Sequence, residues 1–193
     1  MSDRSRTGIP NSLQEHWMPF TSNKSFKKDP RLITEAKGVY IKDHKGRTQI
    51  DASSGLFCNP LGHGRKEIIN AITKQLETLD FVTPFQQGFG GSFELATKIA
   101  KHTPGDLNQI FYTICGSTAV ETALKISIAY NKARGQGQRF RFVGRERAYH
   151  GMNIGGTSVG GMINNVKTFA SILMPGVLHM RHTHLPEHKF VKG

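Results

Sequence analysis

The chain has 193 residues, a length that suits one domain with a hydrophobic core, and its 26 Lys and Arg against 14 Asp and Glu give a net charge of +12. It has two cysteines, too few for a disulfide framework or a cysteine-based metal site, and no stretch approaches the roughly 20 apolar residues of a membrane-spanning helix. These features argue against a disulfide-stapled secreted scaffold and a helical membrane protein, and we expect a cytoplasmic protein.

The excess of positive charge raises three classes of partner: nucleic acid, anionic membranes and acidic ligands. The basic residues are scattered, however, and their densest groups, Lys24–Arg31 and Arg139–Arg147, lack the interleaved aromatic residues of a nucleic-acid module. We therefore expect no nucleic-acid or membrane partner. A basic nucleic-acid binder stays as the weakest alternative, and steep salt dependence of binding would identify it.

The first part of the chain predicts an arm followed by a β-hairpin. Residues 1–30 are mostly polar around one apolar cluster, Trp17–Phe20, so we expect an arm that docks through that cluster. Alternating residues over Val39–Ile41 and Thr48–Ile50, on either side of the turn Asp43–Gly46, predict the hairpin.

Two helices are predicted next. In the first, between residues 66 and 80, apolar residues recur at helical spacing: Ile68, Ile69, Ile72, Leu76 and Leu79. The second helix follows a loop rich in glycine and phenylalanine. Ser92 is its expected N-cap, and Pro104 ends it.

The middle of the chain predicts a βαβ unit. Ile110–Ile114 is typical of a buried strand, and Arg139–Val143 predicts a second strand. Between them the apolar spacing over Val120–Ile128 predicts a helix that ends at Gly135. A strand, a helix and a strand in this order build a parallel sheet through a right-handed crossover, so the predicted fold class is α/β.

The last part of the chain predicts little regular structure. Gly155-Gly156 and Gly160-Gly161 bracket a short stretch that we expect to be a mobile loop, and the last twenty residues are also expected to be loop. Two sheet strands are too few for a parallel sheet, which needs further strands and helices on both faces. We therefore expect a truncated chain.

A candidate phosphate-binding turn lies between the first predicted strand and its helix. Cys115-Gly116-Ser117-Thr118 would direct backbone N–H groups outward from the positive end of the helix, where phosphates bind. The spacing fits equally well an ordinary turn with Ser117 as N-cap. The glycines match neither the dinucleotide fingerprint nor the nucleotide P-loop, so the residues alone leave the owner of the phosphate open.

A second candidate follows the second predicted strand. Tyr149-His150-Gly151 would lie at the carboxyl end of the sheet, where ligands of open α/β folds bind, and the tyrosine could stack on a flat ring. The residues by themselves favour the alternative of a core tyrosine with a satisfied hydroxyl. Four histidines near the end, His179, His182, His184 and His188, fit no metal-ligand pattern, so we expect no metal site.

Several ordered segments together resemble the class III (omega) aminotransferases, most closely the β-alanine–pyruvate type. They are HWMPFT, GVYIKDHKGRTQIDASSGLFCNPLGHGRKEI, FELATKIA, PGDLNQIFYTICGSTAVETALKI, YNKARGQGQRFRFVGRERAYHGMNIGGTSVGG and MPGVLHMRHT, which run from about His16 to about His184. The resemblance implies the fold of type I pyridoxal-phosphate enzymes, present only in its N-terminal part. Residues 1–65 would be the arm and hairpin segment of the small domain, and residues 66–193 the beginning of the large cofactor-binding domain.

The resemblance also implies roles for individual residues. Gly116 and Ser117 would hold the phosphate of pyridoxal 5'-phosphate, and Tyr149 would stack on its ring, with His150 and Gly151 shaping the turn. The family motif usually reads Ser-Gly-Ser-Glu-Ala, whereas this chain has CGSTA, with Cys and Thr at two of its positions. Four apolar residues match positions that line the family's substrate pocket, and the second phenylalanine stands in for a more usual Trp, which implies a roomier pocket: Phe20, Leu56, Phe57 and Phe85.

Three elements of the family's machinery have no match in this sequence. They are the lysine that forms the Schiff base, the acidic segment that keeps the pyridine nitrogen protonated, and a late arginine that receives the substrate carboxylate. The cofactor works as an electron sink only with the first two. We therefore assign no catalytic residue, and we expect the chain alone to be inactive.

The resemblance implies an aminotransferase lineage that moves an amino group from an ω-amino acid or amine to a keto acid such as pyruvate. A homodimer is expected for the full-length form. The alternative from another class is a non-catalytic binding or assembly protein, or a relict fragment, that folds only with a partner chain. Dependence of solubility on that partner would separate the two.

Overall fold

A computed structural model describes residues 8–188, which fall into two compact units, one ending at Phe89 and the other beginning at Gly90. The first unit contains α1 Asn23–Lys28, β1 Ile33–Lys37, β2 Tyr40–Asp43, β3 Thr48–Ile50 and α2 Lys66–Thr78. The second contains α3 Gly90–Ala100, α4 Gly116–Ala133, β4 Phe142–Arg145, α5 Ile154–Val159, α6 Ile163–Thr168 and β5 Val177–Met180. The assignment of 1–65 and 66–193 to a small and a large domain stays a prediction.

The predicted hairpin is confirmed, and the structure adds a strand to it. β1, β2 and β3 form an antiparallel sheet in that order, with Tyr40 opposite Ile50. At the turn the Asp43 carboxylate accepts the N–H groups of Lys45 and Arg47, at 2.9 and 3.0 Å, and pairs with Arg47 Nε at 2.7 Å. Burial alone would raise the pKa of Asp43, but these donors outweigh it and hold the pKa below its usual value.

The N-terminal arm differs from the expectation that its apolar cluster docks. Trp17 and Phe20 are 87% and 83% exposed. The segment instead turns on Asn23, whose side chain accepts the N–H of Met18 at 2.9 Å and donates to its carbonyl oxygen at 2.8 Å. The short helix α1, which sequence periodicity did not indicate, begins at this residue.

The α/β class and its parallel sheet are confirmed, but the strands differ from those predicted. β4 and β5 pair in parallel, with Phe142 opposite Val177 and Arg145 opposite Met180. β4 begins three residues later than Arg139, and β5 lies in a stretch predicted to be loop. The connection between these strands runs through α5 and α6, so the βαβ unit lies farther along the chain than the sequence suggested.

The predicted strand Ile110–Ile114 is wrong for the chain as described. This segment has no regular secondary structure, and Phe111 and Ile114 are 70% and 94% exposed. An extended segment becomes a strand only when a neighbour accepts and donates its backbone hydrogen bonds, and no described strand lies beside it. Apolar composition alone could not reveal the missing neighbour.

The longer predicted helices are confirmed, and two of them, α3 and α4, begin earlier than predicted. α2 covers most of the predicted 66–80, and α4 ends just before Gly135, which adopts a φ of +74°. α3 begins at Gly90, so Ser92 lies in its first turn and is not the N-cap. Ser117 likewise lies inside α4, because the N-cap there is Cys115.

The predicted mobile loop around residues 155–161 is wrong, because this stretch contains α5 and the buried centre of the second unit. Gly155, Gly156, Ser158 and Val159 are all buried. A Cβ added at Gly156 would lie 2.4 Å from the carbonyl oxygen of His150, so the glycine allows a close backbone approach. Ser158 Oγ donates to Ile154 O at 2.6 Å and accepts the Met174 N–H at 2.8 Å. These glycines serve packing.

Most apolar side chains of the described structure stay in contact with solvent. Within residues 8–188, Val159 is the one large apolar side chain that is more than nine-tenths buried. Large apolar side chains are exposed in both units, among them Leu61 at 65% in the first and Phe93 at 70% in the second. The apolar face of α2 that the sequence predicted exists, but Ile69 and Ile72 on it are about half exposed.

None of the helices within residues 8–188 combines the length and the hydropathy needed to cross a membrane.

Candidate functional site

The candidate phosphate-binding turn forms the start of α4, the longest helix of the second unit. Cys115 is the N-cap in extended conformation, with φ −164° and ψ 169°. Its N–H donates to Thr118 Oγ1 at 3.3 Å, and the Thr118 hydroxyl lies 2.9 Å from the Cys115 carbonyl oxygen. Thr118 therefore completes a reciprocal cap in place of the family's glutamate.

The chain brings the second candidate, Tyr149-His150-Gly151, directly against this turn. Ser117 Oγ accepts the backbone N–H of Met152 at 3.0 Å, a contact between residues 35 positions apart. Gly151 has a φ of +106°, and a Cβ added there would lie 2.8 Å from both Cα and Oγ of Ser117. Only a glycine allows the two segments to approach so closely.

A second contact between the same elements was missed by sequence reasoning. Glu121 Oε1 accepts the N–H of Gly156 at 2.8 Å, and a Cβ added at Gly155 would lie 2.7 Å from that oxygen. Glu121 follows Ser117 by four residues, so both side chains lie on one face of α4. That spacing places Glu121 on the face of Ser117, but it does not reveal the partner. Together, the side chains of Ser117 and Glu121 fix α5 and the turn before it to α4.

The start of α4 offers donors and space that suit a phosphate. The first N–H groups of a helix have no partner within the helix, and Gly116 and Ser117 supply them here. The Ser117 oxygen accepts a hydrogen bond from Met152, while its own proton faces the Cys115 sulfur, a weak acceptor that a phosphate oxygen would replace. A Cβ added at Gly116 would meet nothing within 4 Å, so the space beside this residue is open.

Cys115 adds a titratable group to this site. Its thiol pKa is lowered, first by the backbone N–H of Thr118 and then by the Thr118 hydroxyl, with a smaller contribution from Ser117, while burial opposes the shift. A bound phosphate beside the thiol would favour its neutral form, because two negative charges at close range repel each other. The neutral thiol and an anion are therefore compatible at this helix start.

Tyr149 and His150 lie on the surface of the second unit. Tyr149 is 56% exposed, so it is not the buried core tyrosine that the residues alone favoured. It lies two residues before Gly151, which contacts Ser117. The exposed aromatic residue therefore lies two positions along the chain from the glycine that meets the start of α4.

The histidines near the end of the second unit serve the fold. His179 Nε2 lies 2.7 Å from the Gly160 carbonyl oxygen, and His182 Nδ1 accepts the N–H of His184 at 3.2 Å. The His182 pKa is lowered, mainly by burial and then by Arg147. Across residues 8–188 no three His, Cys, Asp or Glu side chains are grouped as metal ligands, and the His188 side chain lies outside the described residues.

The four apolar candidates all lie in the first unit. Leu56 and Phe57 are neighbours on one turn, whereas Phe20 and Phe85 lie on separate loops. All four side chains are strongly exposed, between 75% for Leu56 and 84% for Phe85. Three of them, Phe20, Leu56 and Phe57, have positive φ values of 51°, 55° and 68°. Non-glycine residues rarely adopt this conformation, and such residues concentrate at functional sites.

Known proteins match nearly the whole chain. The family profile of Aminotransferase class-III matches residues 21–192. A β-alanine–pyruvate aminotransferase of Pseudomonas aeruginosa is 45% identical over 182 residues, which are 94% of this chain and 40% of the relative. An ω-amino acid–pyruvate aminotransferase of Pseudomonas putida is 46% identical over 181 residues, with 94% and 40% covered. The chain thus spans about 40% of the length of these relatives.

Solved structures agree with this match. The ω-transaminase from Pseudomonas jessenii in complex with PMP superposes with a TM-score of 0.85 at 29% identity, over 94% of this chain and 40% of that one. An (S)-enantioselective ω-transaminase from Thermomicrobium roseum superposes with a TM-score of 0.82 at 31% identity, over 86% and 38%. Both the backbone and the sequence of the two units therefore have counterparts in transaminases.

Proposed function

The chain belongs to the class III aminotransferase family, and from that premise we propose that it carries the phosphate- and ring-binding part of a pyridoxal 5'-phosphate site. The enzyme to which such a part belongs transfers an amino group from an amine or ω-amino acid to a keto acid such as pyruvate. We also propose the family homodimer and a cytoplasmic location for the full-length form.

The hydrogen bond from the Met152 N–H to Ser117 Oγ is the observation that carries this proposal. It joins the start of α4 to the turn that bears the exposed Tyr149, and this connection supports the proposal that the anion donors and the ring bind one molecule. A phosphate and a flat ring in one molecule need that combination.

Each residue of the site has a distinct task in this proposal. Gly116 and Ser117 hold the phosphate through backbone N–H groups and the Ser117 hydroxyl. Tyr149 orients the ring, and Gly151 keeps the two segments in contact. When bound, pyridoxal phosphate supplies an electron sink for bonds at the amine-bearing carbon. The sequence has no segment that resembles the family's lysine motif, so we expect the chain alone to bind the cofactor weakly and not to transaminate.

Equilibrium dialysis with pyridoxal phosphate and with pyridoxal, which lacks the phosphate, tests this proposal. We expect a preference for pyridoxal phosphate in the wild type and its loss in Ser117→Ala. Ser127→Ala is the matched control, because Ser127 lies on the same helix and donates only to the Ala123 carbonyl oxygen, at 2.8 Å. Equal binding of both compounds by the wild type would contradict the phosphate site.

Borohydride reduction of the mixture followed by peptide mapping tests the absence of the lysine. Surface lysines react slowly with the aldehyde, so we expect scattered and partial labelling. A single lysine labelled to completion, and lost in Ser117→Ala, would contradict the proposal that this chain lacks the catalytic lysine.

A second candidate function is supported by the exposed apolar surface of both units. In this alternative the chain is a non-catalytic assembly protein that folds only with a second polypeptide. Co-expression with that polypeptide would then raise the solubility of the chain without producing transaminase activity. Unchanged solubility of the chain on co-expression would contradict this alternative.

A further inference from the structure

Residues Ser54–Phe57 of the first unit form one turn of left-handed backbone. Their φ values are 50°, 58°, 55° and 68° in chain order, and three of the four residues are not glycine. Four backbone hydrogen bonds hold the turn: Phe57 N to Ser53 O at 2.9 Å, Asn59 N to Ser54 O at 2.8 Å, and the longer bonds Ser54 N to Asp51 O at 3.3 Å and Cys58 N to Gly55 O at 3.4 Å. For L-residues this conformation brings Cβ close to the following carbonyl oxygen, so it persists only when surrounding contacts impose it.

The side chains on the turn do not supply those contacts. Leu56 and Phe57 are 75% and 83% exposed, so burial of their apolar groups contributes little to holding the backbone. Hydrogen bonds at the base of the turn must therefore impose its conformation.

Asp51 lies at that base and accepts three hydrogen bonds. Its carboxylate receives the Ser53 hydroxyl at 3.0 Å, the Gly55 N–H at 2.8 Å and His63 Nε2 at 3.1 Å. The bond to Gly55 reaches into the left-handed turn itself. The bond to His63 spans the whole segment, because Asp51 precedes the turn and His63 follows it.

The two ends of the segment are also fixed to adjacent residues of the turn between β1 and β2. The Asp51 N–H donates to Val39 O at 2.8 Å, and His63 exchanges two hydrogen bonds with Gly38, at 2.8 and 2.9 Å. Asp51 is 11% and His63 27% exposed at the side chain, so water competes only partly for their bond. The segment 51–63 is consequently closed at its base by one carboxylate and one imidazole.

We propose that Asp51 and His63 are positioning residues, whose hydrogen-bonded pair holds the left-handed turn Ser54–Phe57 and so sets the direction in which Leu56 and Phe57 face an amine substrate. The substrate clause rests on the proposed function. The pair holds the turn within this unit alone, with or without cofactor and substrate.

Hydrogen exchange of backbone amides, measured by mass spectrometry on the full chain, tests the proposal. His63→Ala removes the donor, and we expect roughly tenfold or faster exchange at the Phe57 and Asn59 amides through local opening. His63→Gln keeps a side-chain N–H donor of similar reach, so slow exchange should return. Asp51→Asn should accelerate exchange, whereas Asp29→Asn, which alters an exposed carboxylate of the same unit, should not.

The same experiment has two outcomes that overturn the proposal. Unchanged exchange at Phe57 and Asn59 in His63→Ala would mean that the pair does not hold the turn. Equal acceleration at the paired strands β2 and β3 would mean that the pair stabilises the whole unit and does not position the turn. Failure of the pyridoxal phosphate dialysis would leave both readouts unaffected, because neither contains the cofactor.

Discussion

At the scale of single residues, the close approach of Gly151 to Ser117 limits which side chains position 151 can accept. Sequence reasoning identified both residues through the family motif, but it could not derive their contact, because they are 34 positions apart. It missed Glu121 for the same reason: its partner is a backbone N–H 35 residues away. Such contacts depend on how α5 lies against α4, and no local pattern encodes that arrangement.

Gly151→Ala is expected to destabilise the second unit by about 1–3 kcal/mol, because the new Cβ meets Ser117 and the φ of +106° disfavours any L side chain. Denaturant unfolding monitored by circular dichroism measures this loss. Gly90→Ala is the control, because a Cβ there meets nothing within 4 Å. Equal stability of the two variants would contradict the close approach.

The hairpin turn is expected to weaken in acid through Asp43. Its folded pKa lies below the usual carboxyl value, so its stabilisation is complete above about pH 4 and is lost as the pH falls through the lowered pKa. NMR titration of the Lys45 and Arg47 amides follows this change. In Asp43→Asn the chemical shifts of the same amides should no longer change in acid. If they still change, a group other than Asp43 titrates there.

At the scale of elements, the sequence predicted what periodicity and local turns determine. The helices α2 and α4 and the β2–β3 hairpin have their own apolar spacing or turn residues, and each was confirmed. Strands that pair with distant segments were not predictable in this way, so β5 was missed and 110–114 was assigned wrongly. The glycines around α5 resembled a loop because glycine serves both flexible turns and close backbone contacts.

The start of α4 should become more stable when its cap is changed to the family's residue. Cys115→Ser replaces a weak sulfur acceptor with a hydroxyl, which is among the preferred N-caps, and we expect a gain of roughly 0.5–1 kcal/mol. Thermal unfolding measures it. Cys58→Ser is the matched control, because Cys58 is also an exposed free cysteine but caps no helix. A gain of similar size in both variants would contradict a capping effect.

At the scale of the whole molecule, both units expose large apolar side chains that a folded domain usually buries. Most of the large apolar side chains that could form a core are exposed on the described helices and loops. Ile72, Phe93 and Phe111 are examples. A net charge of +12 opposes association but is spread over the chain, so it does not shield any one apolar face.

We therefore expect the isolated chain to associate and to bind a hydrophobic dye such as ANS. Analytical ultracentrifugation at several salt concentrations measures the association, which should increase with salt because screening removes the repulsion between like charges. A monodisperse monomer with one cooperative thermal transition and no dye binding would contradict the exposed surface.

The left-handed turn at Ser54–Phe57 has a consequence for chirality. A residue of D configuration has its own preferred backbone region at positive φ, where L-residues are strained. Gly55, with a φ of 58°, is the achiral residue of the turn, so it has neither the L nor the D preference. In a semisynthetic chain, D-alanine at this position should therefore stabilise the turn, and L-alanine should weaken it. Two molecules of identical composition would then differ in how well ordered their Leu56 and Phe57 side chains are, because of the handedness of a single carbon.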